Sequence, residues 1–298
     1  MNTNMADYIG VDVGGTRTKA GIVEFYKSKN KFQIIRENEI LTEANAGFNT
    51  SMKNILKAIE SILPENKKNK KTIKGIGIGF AGLVDAKKGI VNFANNLPGW
   101  KNVELKKIIE KRFGIKCFVD NDAKCAVLGE FLFGAGRGRK NIVLITLGTG
   151  LGCGVILNGK IYYGKTGEAG EIQAIPMLPE GKKLEHWVNA NAIVELSGER
   201  PSKLAYKAEK GDSAALQVFR AYGERVGVVL SVVANTFEPE MIIMSGGISQ
   251  SLDLFEKPAL RVLKESMYEK SFRNLSIVKA QLAKPGVVGA AALFIRKQ

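Results

Sequence analysis

Two glycine-rich turns, each entered and left by apolar strands, constrain this chain more than any other feature: YIGVDVGGTRTKAGIVE at residues 8–24 and NIVLITLGTGLGCGVILNG at 141–159. In each, an alternating run (Ile9, Val11, Val13, or Val143, Ile145, Leu147) feeds a tight bend from which a second apolar run departs. The pattern predicts a β-hairpin whose tip can touch phosphate. Glycine has no Cβ, so the N–H groups at Gly14, Gly15, Gly148 and Gly150 can approach an anion closely, and Thr16 and Thr149 add hydroxyl donors. Two such tips facing each other would cradle a polyphosphate.

The 298 residues, 45% of them apolar, are enough for two ordinary domains, and the repeated turn favours two. Strands are predicted at 32–41, 73–80 and 116–119, with helices at 50–63, ending before Pro64, and at 103–113. The strand at 116–119 leads into Asp120, Asn121 and Asp122 and then a helix through Glu130. The second half restarts at Ile142 and ends in two long helices flanking a strand at 241–244 and its turn Ser245, Gly246, Gly247. This alternation predicts an α/β fold. Residues 1–118 are expected to form a small N-terminal lobe, with a helix in 285–298 packing back onto it. Residues 119–284 are expected to form a larger C-terminal lobe, with a mobile cleft between the two.

No apolar run approaches bilayer length, and MNTNMADYIG lacks the basic and apolar regions of a secretory signal, so a cytoplasmic protein with no membrane partner is expected. Three cysteines, Cys117, Cys125 and Cys153, form no CxxC pair and read as buried thiols. The net charge of +15 is partly concentrated at Lys67, Lys68, Lys70 and Lys71, without aromatic interleaving or a recognition helix, so no nucleic-acid partner is expected. It can steer an anionic substrate instead.

Two motifs mislead. Residues 159–166 match the GxxxxGK[ST] pattern, but Gly167, Gly170 and Pro176 break the helix that a P-loop requires. Gly77, Gly79 and Gly82 fit GxGxxG, yet Leu83, Val84 and Asp85 lead into a turn at Lys87, Lys88 and Gly89, and without a helix N-terminus the pyrophosphate loses its dipole. The single histidine, His186, removes most histidine-dependent chemistry, and no GxSxG elbow surrounds Ser245.

DVGGTRTK (12–19), NNLPGW (95–100), VDNDAKCAVLGE (119–130), LGTGLGCGVILNGKIYYG (147–164) and GEAGEI (167–172) occur in this order. Together they resemble the ROK family of sugar kinases, within the actin and hexokinase superfamily, across nearly the whole chain. The resemblance implies a two-lobed actin-like ATPase (ribonuclease H-like) fold and an ATP-dependent kinase that phosphorylates a hexose, glucose first. An N-acetylhexosamine or other hexose kinase, or a non-catalytic sugar-sensing regulator, is the alternative. The family's regulators carry a DNA-binding module ahead of the first glycine turn, whereas Met1 to Asp7 precede Tyr8 here. A homodimer using ATP and Mg²⁺ is expected.

The resemblance also implies roles. Asp12 would orient Mg²⁺ and its waters; Gly14, Gly15, Thr16 and Lys19, with Gly148, Thr149 and Gly150, would hold phosphates; Gly246 and Gly247 would flank the adenosine. Asn96, Gly99, Asn121, Asp122, Glu171 and Glu185 would face the sugar, with Asp122 as the base. Asn121 or Asp122 also fits a helix N-cap, and both roles can coexist. Asp12 also fits a turn-forming residue. Where zinc-bearing members have a histidine, Ala174 stands here, Gln173 replaces a glycine, and 178–183 holds no cysteine, so no zinc is expected. Lys124 stands where the family usually has Asn; pairing with Asp12, contact with a phosphate and a solvent-facing position are all open to it.

Overall fold

The computed structural model describes residues 5–26, 31–64, 72–177 and 181–295. The lysine run at 67–71 lies outside them. Contacts divide the chain into two compact units, one of Met1–Gly138, Lys160–Ala169 and Gln281–Gln298, the other of Arg139–Gly159 and Gly170–Ala280.

The first unit opens with β1 (Met5–Val13), β2 (Arg17–Tyr26), β3 (Lys31–Leu41), α1 (Phe48–Ile62) and β4 (Ile73–Phe80). A small antiparallel sheet follows, β5 (Leu83–Asp85), β6 (Ile90–Phe93) and β7 (Lys101–Val103), then α2 (Leu105–Phe113), β8 (Cys117–Asn121) and α3 (Asp122–Phe133). The main sheet runs β3–β2–β1–β4–β8, antiparallel through the hairpins and parallel from β1 to β8. Alternation in β1 and β4 sends Ile9, Val11, Val13, Ile76, Ile78 and Phe80 to one face, where Ile55, Ile59 and Ile62 of α1 cover them. Gly10 and Gly77, paired in register, line the other face.

The helix expected from Val103 begins later, at Leu105, because Val103 is paired with Val91 in β7. The lobe boundary expected at 118/119 falls inside β8, which is hydrogen-bonded to β4 from Cys117 to Asn121. That pairing carries Asp122 and α3 into the first unit.

The second unit contains β9 (Ile142–Leu147) and β10 (Leu151–Leu157). The short β11 (Lys160–Ile161) opens the segment that belongs to the first unit. No helix follows it; Gly164, Gly167 and Gly170 have φ of +67°, +95° and +95°, outside the helical range, so the GxxxxGK[ST] match has no P-loop behind it. Next come the hairpin β12 (Pro176–Met177) and β13 (Lys182–Lys183), then α4 (Leu184–Val188), α5 (Ala190–Ser197), α6 (Pro201–Glu209) and α7 (Ser213–Phe237). They are followed by β14 (Met241–Ser245), α8 (Leu252–Ser266), α9 (Glu269–Asn274) and β15 (Ser276–Lys279). Strands β10, β9, β14 and β15 adjoin in that order, and Val143 and Ile145 join Phe219, Tyr222, Val226 and Phe255 in one core.

The last helix, α10 (Pro285–Ala292), returns to the first unit. It lies flush on the glycine face of the sheet: a Cβ at Gly10 would come within 1.9 Å of the Val287 carbonyl oxygen, and one at Gly77 within 1.8 Å of that of Ala290. Its contact with α3 is equally close. A Cβ at Gly289 would lie 1.6 Å from the Cys125 carbonyl oxygen, and one at Gly129 2.6 Å from that of Pro285.

Candidate active site

In the first unit the strand register assembles the acidic centre. Asp12, at the C-terminal end of β1, pairs with Gly79 of β4, which pairs with Asp120 of β8. Beyond Asp120 the chain turns into α3 through Asn121, whose Oδ1 accepts the N–H of Lys124 at 3.1 Å as an N-cap and whose Nδ2 donates to the Gly82 carbonyl at 3.1 Å. Gly79 makes room for this. A Cβ there would sit 3.3 Å from the Asp122 Cα and 3.1 Å from the Cys125 Cβ, so glycine lets the first turn of α3 press against the sheet beside Asp12.

The two carboxylates act on each other. Burial pushes the pKa of Asp122 up to about 6, with the charge of Asp12 adding to the rise and the N–H groups of Ala123 and Asp122 and the charge of Lys124 opposing it. Burial also raises Asp12, which Lys19, its register partner on β2, partly offsets and Glu39 reinforces. Asp12 is roofed by α10: a Cβ at Gly286 would lie 2.7 Å from its Cγ.

The first glycine turn is braced from below. Gly14 N–H donates to the Arg17 carbonyl (3.0 Å), Thr42 N–H to that of Thr16 (2.9 Å), and Thr42 Oγ1 to that of Gly14 (2.7 Å). Because Thr42 Oγ1 has given its one proton to Gly14, Thr18 Oγ1 is the donor of their mutual bond at 2.9 Å. Gly15 abuts the 95–100 loop, since its Cβ would stand 3.1 Å from the Asn96 carbonyl oxygen. Leu97 and Trp100 are buried and anchor that loop, Trp100 Nε1 donating to Ser51 Oγ at 2.9 Å. Gly99 has φ +85° and packs against Phe48, which accounts for a glycine there on backbone grounds.

In the second unit β9 and β14 run side by side with Thr146 opposite Ser245, so the 148–150 and 246–247 turns leave the same sheet edge. Gly246 has φ +90° and would place a Cβ 2.3 Å from the Leu147 carbonyl oxygen. At Gly148 and Gly247 a Cβ would meet nothing within 4 Å, so these backbones are open to a ligand. Gly148 N–H donates to the Gly150 carbonyl at 3.1 Å, while the Gly148 carbonyl accepts from Ala190 N–H at 2.8 Å.

Glu185 is half-buried, and its Oε2 accepts the Leu151 N–H at 3.1 Å, so this expected sugar ligand also fastens the second turn. Gly170, resting on the Cys153 carbonyl, carries Glu171, to which Gln173 Nε2 donates. Ala174 and His186 are exposed.

Sequence reasoning missed Thr18, Thr42, Ser51 and Gly286. Only Gly286, following Pro285 at a helix start, had a local signal.

Each unit by itself offers groups that fit one part of a magnesium nucleotide. Asp12 and Asp122 offer hard oxygen donors whose mutual repulsion a divalent cation would relieve, and the open Gly148 and Gly247 backbones suit phosphate and adenosine. Among the described residues no group of three His, Cys, Asp or Glu side chains could hold a further metal ion.

The sequence model of the ROK family matches residues 8–297. The chain belongs to the ROK family. It is 34% identical over 280 residues to a glucokinase of Halalkalibacterium halodurans, covering 84% of this chain and 83% of that one. A glucokinase of Streptomyces coelicolor is 31% identical, with 96% of each chain covered. Among solved structures, a ROK glucokinase of Streptomyces griseus in complex with glucose and AMPPNP superposes with a TM-score of 0.84 at 29% identity, over 97% of this chain and 99% of that one. The fold is therefore the actin-like ATPase fold of ROK sugar kinases.

Proposed function

We propose that the protein transfers the terminal phosphoryl group of ATP to a hydroxyl of a hexose, glucose to glucose 6-phosphate in the first instance. The observation that carries this reading is the half-buried carboxylate of Asp122 at the start of α3, held beside Asp12 by the β1–β4–β8 register. A sugar hydroxyl is a weak nucleophile, so its proton must leave as its oxygen attacks phosphorus, and Asp122 is the acceptor. A pKa of about 6 suits that task, because the carboxylate is ionised near neutral pH and still basic enough to take the proton.

The remaining roles rest on the family resemblance. Gly14, Gly15, Thr16 and Lys19 bind phosphate in the first unit; Gly148, Thr149 and Gly150 do so in the second, where Gly246 and Gly247 flank adenosine. Asn96, Gly99, Asn121, Glu171 and Glu185 bind sugar hydroxyls, Glu171 with its carboxylate steadied by Gln173. Mg²⁺, when bound, would neutralise phosphate charge, with Asp12 orienting it through its waters. A cytoplasmic location and a homodimer belong to the same reading and have the same basis; among the described residues no helix is long and apolar enough to cross a membrane.

The deciding experiment measures ADP release with glucose, mannose, fructose, N-acetylglucosamine, N-acetylmannosamine and allose. Turnover of glucose above the others supports the reading. Hexose binding without turnover would instead favour a sugar-sensing regulator.

Two further outcomes are expected. The kcat/KM for glucose should fall on acidification with a limb near pH 6, as Asp122 takes up the proton it must lack to serve as base. A profile flat to pH 5 would remove Asp122 from that role. Glu171→Gln should lower kcat/KM for glucose, mannose and 2-deoxyglucose together, by about 10-fold or more, because Glu171 would hold hydroxyls common to all three. Loss confined to one sugar would contradict a shared contact.

A further inference from the structure

Lys124 stands two residues after Asp122 in the first turn of α3 and is only 1% exposed. Of the three positions open to it in the sequence, the structure closes two. It does not face solvent, and it makes no ion pair with Asp12, where the opposing cation is Lys19. Among the described residues its ammonium makes no ion pair within 4 Å and no hydrogen bond, and the carboxylate its charge reaches is that of Asp122. Neither is it sealed in: the fully enclosed unpartnered side-chain atom among those residues is Glu199 Oε2.

An ammonium taken out of water with no close ion pair and no hydrogen bond is costly unless a partner arrives from outside the protein. Lys124 cannot escape by rotation of its helix, because α3 is locked against α10 at Gly129 and Gly289 and against β4 at Gly79. The charge of Lys124 also reaches Asp122, where it opposes the rise in pKa. Hexose phosphorylation at Asp122 brings one anion to its neighbourhood, the phosphoryl group, on the nucleotide before transfer and on the sugar after it.

We propose that Lys124 is a binding residue for this phosphoryl group, donating from its buried ammonium to a phosphoryl oxygen. A lysine suits such a contact as a compact point charge with rotatable donors. The inference rests on the kinase reading. Its consequence is that the Lys124 ammonium gains a close partner only when a phosphoryl ligand is present.

The test compares the parent with Lys124→Met, Lys124→Gln and Lys124→Arg by thermal shift with glucose, glucose 6-phosphate and AMPPNP, and by steady-state kinetics. Ligand-free Lys124→Met should melt no lower than the parent, since it removes a buried charge that has no close ion pair or hydrogen bond. It should keep the shift with glucose and lose most of the shift with glucose 6-phosphate, with AMPPNP, or with both. The arm that is lost tells whether the ammonium meets the group after transfer or before it. The kcat should fall by about 10-fold or more with KM for glucose within about threefold, and Lys124→Arg should restore part of it.

Retention of both phosphoryl-ligand shifts together with near-parental kcat would overturn the inference. So would lower melting of both Met and Gln variants with all three ligand shifts reduced alike, which is what a packing role would produce. A parent that turns over no hexose would overturn the kinase reading and this inference with it, whereas an active parent with unaffected variants overturns the inference alone.

Discussion

Asp122→Asn should lower the rate of hexose phosphorylation by about 10² to 10⁴-fold while leaving glucose and nucleotide binding near parental, because the amide keeps the shape of the carboxylate and cannot accept the proton. The same substitution should stabilise the ligand-free protein at neutral pH. Burial and Asp12 lift the pKa of Asp122 from 3.8 to about 6 on folding, so the folded state holds this proton more tightly than the unfolded chain. Stability attributable to Asp122 is then highest below pH 4 and declines as pH rises towards 6, leaving at pH 7 an ionised group that the fold disfavours. Asparagine has no such charge. Melting curves of parent and variant should therefore diverge at pH 7, the variant melting higher, and converge near pH 4. Turnover within a few-fold of the parent would show that another group removes the proton.

Gly289→Ala is expected to be the most damaging single methyl that can be added to the first unit. Its Cβ would fall 1.6 Å from the Cys125 carbonyl oxygen, and the obstacle is backbone, so no side-chain rotation can relieve it. Separating α3 from α10 would disturb both helices that begin at the acidic centre. Overpacking ordinarily costs about 1–3 kcal/mol, and a backbone-to-backbone clash belongs at or beyond the top of that range. The protein should be recovered in inclusion bodies or with Tm lowered by roughly 6 °C or more. Gly129→Ala, whose nearest obstacle is 2.6 Å away, should be milder. Equal stability of Gly289→Ala and the parent, by calorimetry, would mean that α3 and α10 can part without loss.

The hairpins were legible because each is written in consecutive residues: an alternating apolar run, glycines at the tip, a second run. That Asn121 or Asp122 caps α3 was legible for the same reason, and the structure places the cap at Asn121. What the sequence hid was lateral. That Asp12 and Asp122 lie together depends on the pairing of β1 with β4 and β4 with β8, and on Gly79 standing between them, none of which is local in the chain. The boundary expected at 118/119 failed on the same ground, since β8 reads as the start of a new half until its bonds to β4 are seen. Val103 reads as helix from its apolar character and is a strand residue because Val91 lies opposite. Thr42, 26 positions beyond Thr16, braces the first turn through its hydroxyl, and an isolated threonine gives no warning of that.

The placement of α10 bears on how the molecule is made. The surface formed by Gly10 and Gly77 is finished only when Val287 and Ala290 lie on it, and Asp12 receives its neighbour only when Gly286 arrives. The whole of the second unit lies between these residues in the chain. A nascent chain emerging from the ribosome can complete the second unit from residues 139–280 while the first still displays an unroofed sheet. Synthesis commonly lets the N-terminal domain fold first. Here β1 and β4 must wait for α10, which follows the second unit in the chain, so the acidic centre takes its final form only once that helix has been made, and the interval before it is when the young chain is open to chaperones and to aggregation.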